Sequence, residues 1–190
     1  YCGHRDWRLP TSRELLTVVD FDIDRNDLKI NPIFKRFFQA DSKVDWTSSP
    51  TAYANAYVWG VDFNDGVLGV RNKYQSNYIR LVRKDDSFFT KSINVLAVYS
   101  SEEYAMKKMS SLILLLIITH VSYAQTCHED LPRTTPDSRY EVLGSGSEVR
   151  DRVTGLIWQR CSLGQVWDGS SCTGEAIGYT WSDALTQAKA

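Results

Sequence analysis

The residues that could carry chemistry are mostly basic, aromatic or sulfur-bearing. Arg71 and Lys73 stand at alternate positions, so on a strand both point to one face. Arg80 and Arg83 follow on a later strand, with Lys84 behind them. Guanidinium forks suit sulfate or carboxylate groups in bidentate geometry, which makes these five the candidate ligand-binding residues. The competing reading is a solvated strand face or ion pairs to Asp and Glu. A formal net charge of -1 favours that reading and means any polyanion site is a local patch.

Other groups offer less. Asp62, Asn64 and Asp65 could give oxygens to calcium, but calcium wants roughly six to eight of them. Asn64-Asp65-Gly66 is also a strong hairpin turn, the better reading. Trp46-Thr47-Ser48-Ser49 gathers three hydroxyls with no histidine near in sequence to activate a serine, so strand packing is favoured. The three histidines, His4, His120 and His128, are scattered. Glycine-rich phosphate loops, nucleophile elbows and zinc helix motifs are missing, so neither catalysis nor a cofactor or metal is expected.

The four cysteines read as two disulfides. Cys161 and Cys172 bracket a short polar, glycine-rich loop that a local bridge would close, leaving Cys2 to pair with Cys127. Three connectivities are open to four cysteines, and this one is preferred. Cys-x-x-Cys is absent, and His128 beside Cys127 has no second ligand pair at zinc spacing.

Export is suggested independently. Met106-Lys107-Lys108-Met109-Ser110-Ser111 precedes the apolar run Leu112–Ile118, and Ser122 and Ala124 are small residues at a cleavage position. These are the three parts of a secretory signal peptide over 106–124, too short in its apolar core to span a bilayer, which needs about 20 residues. Its internal position implies that Met106 or Met109 begins a gene product. Residues 1–105 are then either the tail of a neighbouring reading frame or the tail of the same protein in rotated or tandem order, the second being preferred. Residues 125–190 would form the first part of a domain, 1–85 its second part and 86–105 a junction; joined, 125–190 and 1–85 make a domain of about 150 residues.

The elements that must position these groups are short. Thr11 with Glu14 forms a capping box ahead of a helix that runs toward Val19, with Leu15, Leu16 and Val19 as its apolar face. Thr180 caps a second helix, with Asp183 in its first turn. Asn31-Pro32-Ile33-Phe34 suggests a brief third, proline being tolerated at the first position. Tyr57 to Phe63 alternates as a strand and turns at Asn64-Asp65-Gly66 into Val67 to Val70. Tyr78 to Arg83 alternates too, and Val149 to Trp158 holds a strand pair about Thr154-Gly155. The expected class is α+β, with short antiparallel strands and two modest helices, disulfide-stabilised.

Several of these stretches resemble a family of secreted bacterial domains. They are Gly155-Leu156-Ile157-Trp158, Trp181-Ser182-Asp183-Ala184-Leu185 and Asp6-Trp7-Arg8-Leu9-Pro10-Thr11, with Ile30-Asn31-Pro32-Ile33-Phe34, Trp46-Thr47-Ser48-Ser49-Pro50, Val61-Asp62-Phe63-Asn64-Asp65-Gly66 and Arg80-Leu81-Val82-Arg83. The family is the Lcl C-terminal domain, a domain of unknown function named after a collagen-like adhesin. In that family the Gly-Leu-Ile-Trp and Trp-Ser-Asp motifs come before Asp-Trp-Arg-Leu-Pro; here they come after it, in keeping with a rotated order.

The resemblance implies a C-type-lectin-like fold and binding outside the cell, the namesake attaching to sulfated glycosaminoglycans. The Glu-Pro-Asn and Gln-Pro-Asp triplets of sugar-binding C-type lectins are absent, and so is the collagen-like Gly-X-Y repeat. The expectation is a secreted, periplasmic or cell-surface binding module without catalysis. Its partner would be a glycan or a cell-surface protein, not nucleic acid, with no stable membrane span once 106–124 is removed. The alternative is a structural or protein-interaction domain of the cell envelope with no small ligand. The oligomeric state is not legible.

Overall fold

The computed structural model describes residues 4–23, 27–34, 44–52, 54–85 and 133–189. Cys2, Cys127, the junction and the signal-like segment 106–124 lie outside these residues.

Local chemistry accounts for the first helix. Thr11 accepts from the Glu14 backbone N–H while the Glu14 carboxylate accepts from the Thr11 N–H, and α1 runs Ser12–Leu16. Arg8 clamps the same carboxylate through two hydrogen bonds of 2.6 and 2.8 Å. The chain then tightens into i→i+3 bonds at Val18 and Val19 instead of continuing the helix to Val19. Leu15, Val18 and Val19 are buried together beneath it.

Strands β1 (Val44–Pro50), β2 (Tyr57–Asp62) and β3 (Val67–Asn72) form an antiparallel sheet in that order. The turn between β2 and β3 is the expected one. Gly66 takes φ +76°, its N–H donates to the Asp62 carbonyl, and Asp65 accepts from the Val67 N–H. Asp62 and Asp65 thus organise the turn, Asp62 also accepting from the Asn64 N–H. Thr47 and Ser48 likewise donate to the carbonyls of Trp59 and Pro10, tying β1 to its neighbours.

A second antiparallel sheet has the order β4 (Val82–Lys84), β7 (Leu156–Gln159), β6 (Glu148–Asp151), β5 (Tyr140–Leu143). It joins distant parts of the chain, since Val82 to Lys84 pair with Trp158 to Leu156. Tyr1–Lys84 and Pro132–Ala190 accordingly make one compact unit. Strands β8 (Val166–Trp167) and β9 (Cys172–Thr173) form a small ribbon, and α2 spans Trp181–Gln187 with Thr180 capping Asp183. Two apolar clusters fill the unit. One is centred on Phe34, Phe63 and Trp158, the other on Trp46, Ile79 and Leu81. The fold is therefore mostly antiparallel sheet with two helices and the Cys161–Cys172 disulfide.

Two expected elements differ. Asn31 to Phe34 is a turn, not a helix, because the Asn31 side chain accepts from the Ile33 N–H and donates to Thr135 O and Asp137 Oδ1. Such local side-chain bonds compete with helix formation. Tyr78 to Val82 does not alternate either: all five residues are buried, and only 82–84 pair as a strand.

Candidate functional site

The five basic candidates do not come together as one free cationic face. Arg80 is fully buried. Its Nη1 donates to the carbonyls of Gln159 (2.9 Å) and Arg160 (2.6 Å), its Nε lies 3.7 Å from Asp45, and the guanidinium packs over Phe34. It is a core tie between β1 and the end of β7, and its place as a surface ligand residue is corrected accordingly. Arg83 is largely covered too, pairing with Glu148 at 2.9 Å and stacking 5.3 Å from the Trp7 ring. Arg71 lies 3.6 Å from Asp62, and Lys73 stands over the Trp181 ring. Lys84 is exposed at the end of β4.

A cavity of about 260 Å³ opens beside the second sheet instead. Its floor is set by β6 and β7, where Glu148 and Gln159 are register partners. Trp7 closes one wall, carried by an irregular segment that Arg8 pins to Val82 by backbone bonds in both directions. Trp167 of the β8–β9 ribbon forms the other wall, with Ser145 and Ser147 at the rim, their hydroxyls 3.2 Å apart.

Three local features hold Trp167 in place. The Cys161–Cys172 bridge spans the ribbon's base, and Cys172 is Trp167's partner in register. The Arg160 guanidinium stacks 3.8 Å from the Trp167 ring while donating to Ile33 O and Gly146 O. Burial, which disfavours the charged form, lowers the Arg160 pKa. Gly146, at φ +91°, is the third feature: a Cβ there would stand 2.7 Å from Trp167 Nε1, so only glycine lets the β5–β6 turn approach the indole.

The cavity offers two indoles, serine hydroxyls, the amides of Gln159 and Gln165 and one carboxylate. Gln165 is nearly buried, donates to Gly174 O, and its Oε1 has no hydrogen-bond partner among the described residues. Among the described residues, neither histidine nor lysine lines the space. Among the described residues, no group of three His, Cys, Asp or Glu could hold a metal ion. Nor is any helix among them long and apolar enough to cross a membrane.

Sequence reasoning reached the Cys161–Cys172 loop, but it did not find the cavity. Trp7 is 5% exposed in an apolar cluster and also lines the space. The Asp6-Trp7-Arg8-Leu9-Pro10-Thr11 stretch that sets this wall falls within a match to a known family. Residues 1–83 match the Lcl C-terminal domain. No curated protein and no solved structure matches the chain. The Lcl C-terminal domain match thus takes in Trp7, Arg80 and Arg83, whereas Ser145 to Trp167 lie beyond it.

Proposed function

We propose that this protein is an exported, non-catalytic binding module, secreted, periplasmic or displayed on the cell surface, that recognises a glycan through the Trp7–Trp167 cavity. The observation that carries the reading is the composition of that cavity: aromatic walls, with hydroxyls, amides and a carboxylate between them. Sugars present an apolar ring face and a polar edge, and pockets that combine aromatic surface with a few placed polar groups suit such ligands. The loop-rich antiparallel scaffold is in keeping with a C-type-lectin-like design, and the Lcl C-terminal domain match over 1–83 agrees with a binding role.

The second reading, an envelope interaction domain, draws on a different feature. Val67 and Val70 are about half exposed on β3, an edge strand of the first sheet. Exposed apolar edge strands favour pairing with another chain. A glycan array probed with disulfide-intact protein separates the two. Retention that Trp167→Ala abolishes supports the glycan module. A flat array, together with protein partners captured by crosslinking through β3, overturns it.

A further inference from the structure

We infer that the Trp7–Trp167 cavity takes a single uncharged sugar ring, and that Glu148 turns away sulfated and uronic sugars there. This rests on the glycan reading above and narrows it to a ligand class.

Size is the first argument. About 260 Å³ lies below the range of roughly 300–1,000 Å³ usual for drug-sized ligands, so one ring fits and a folded oligosaccharide does not. Further residues of a longer chain would leave past the rim at Ser145 and Val166, both exposed.

Charge is the second. Among the described residues, the lining includes one carboxylate and no lysine or arginine. The nearest guanidiniums do not line it and are already engaged. Arg83 is held by Glu148 Oε2 and lies against Trp7, while Arg160 is held by two carbonyls and lies against Trp167. A sulfate or carboxylate entering the cavity therefore loses its water and finds no cation except Arg83, whose charge Glu148 already offsets. Desolvating a charge without a partner is strongly unfavourable.

Hydrogen-bond capacity is the third. The Gln159 amide makes no side-chain hydrogen bond with the described residues, and Gln165 holds an unpartnered acceptor in the wall. At the position where the sugars differ, a hydroxyl can donate to such an acceptor, whereas the sulfate or carboxylate that replaces it only accepts.

The test uses the full oxidised chain, titrated with tens of millimolar methyl glucoside, N-acetylglucosamine, glucuronate and glucose 6-sulfate. Indole fluorescence and amide chemical shifts report occupancy, and each titration is repeated at high salt. The neutral sugars are expected to bind in the millimolar range with affinity unchanged by salt, and the two anionic ones at least tenfold more weakly. Gln159→Leu is expected to lose about tenfold for neutral sugars, with its unfolding midpoint retained. Glu148→Gln, which removes the carboxylate and releases Arg83, is expected to narrow the gap between anionic and neutral sugars.

Anionic sugars binding as well as neutral ones, or a salt-sensitive affinity, overturns the inference and leaves the glycan module standing. So does a Glu148→Gln variant that folds and keeps the full discrimination. If no sugar of either class perturbs the Trp7 or Trp167 signals, the glycan reading itself fails.

Discussion

Replacing Arg80 tests whether its charge serves the interior or a ligand. Arg80 and Asp45 are both fully buried, 3.7 Å apart, and Arg80 also bonds two main-chain carbonyls that lead into Cys161. Hydrogen bonds from a charged donor contribute about 1.5–3 kcal/mol each, and removing one partner of a buried ion pair costs about 3–5 kcal/mol. These terms overlap, so Arg80→Ala is expected to lose about 3–5 kcal/mol, a large share of the 5–15 kcal/mol typical of a domain. Arg80→Lys should fall between, since an ammonium keeps the charge but cannot reach both carbonyls with one fork. Lys84→Ala, at an exposed position, should change stability by no more than about 0.5 kcal/mol. Urea unfolding of the oxidised protein, followed by tryptophan fluorescence, measures all three. A loss below about 1 kcal/mol for Arg80→Ala would refute the reasoning. So would a variant of unchanged midpoint that no longer binds sugar, because it would return Arg80 to a ligand surface.

Three further outcomes are expected. Reducing Cys161–Cys172 removes a cross-link of sequence separation 11, for which chain entropy gives about 3 kcal/mol, and should weaken sugar binding by freeing the Trp167 ribbon; thermal unfolding and titration with and without reductant check both. Gly146→Ala forces a side chain into left-handed backbone and against the Trp167 ring, costing about 1–3 kcal/mol, and should alter the Trp167 indole resonance while leaving that of buried Trp46 unchanged. Burial alone would raise the Asp151 pKa, but hydrogen bonds from Arg139, Thr154 and the Val153 N–H hold it below the ordinary 3.8. A depressed folded pKa stabilises above the unfolded value and loses that contribution as pH falls through the folded one, so stability should drop below about pH 4 and Asp151→Asn should flatten the drop in urea midpoints taken against pH.

What was legible in the sequence is what short-range chemistry decides. Thr11 with Glu14, Thr180 with Asp183, Asn64-Asp65-Gly66 and the Cys161–Cys172 loop each involve residues within about a dozen positions of one another, and each is as expected. Arg80 misled because alternation assumes one dry and one wet face. Here the segment is covered on both sides, and the arginine finds its acceptors 79 and 80 positions away. Asn31 misled for a similar reason, its amide being claimed by Thr135 and Asp137. The cavity had no linear signature, because its walls come from Trp7 and from Ser145 to Trp167. The one available hint was compositional: an indole inside a disulfide-closed loop, where a purely structural turn has no need of one.

That division of the walls makes the cavity a thermodynamic link between separate stretches of chain. The Trp7 segment docks on the second sheet through Arg8 and Val82, and β4 docks through β7. A ligand that touches both walls binds only the docked state, so it stabilises docking by mass action, about 2.7 kcal/mol at a hundred times its dissociation constant. The sugar would act as a removable staple between the two stretches. Its presence would be readable as protection of the Arg8 and Val82 amides from hydrogen exchange, at residues that do not themselves line the cavity.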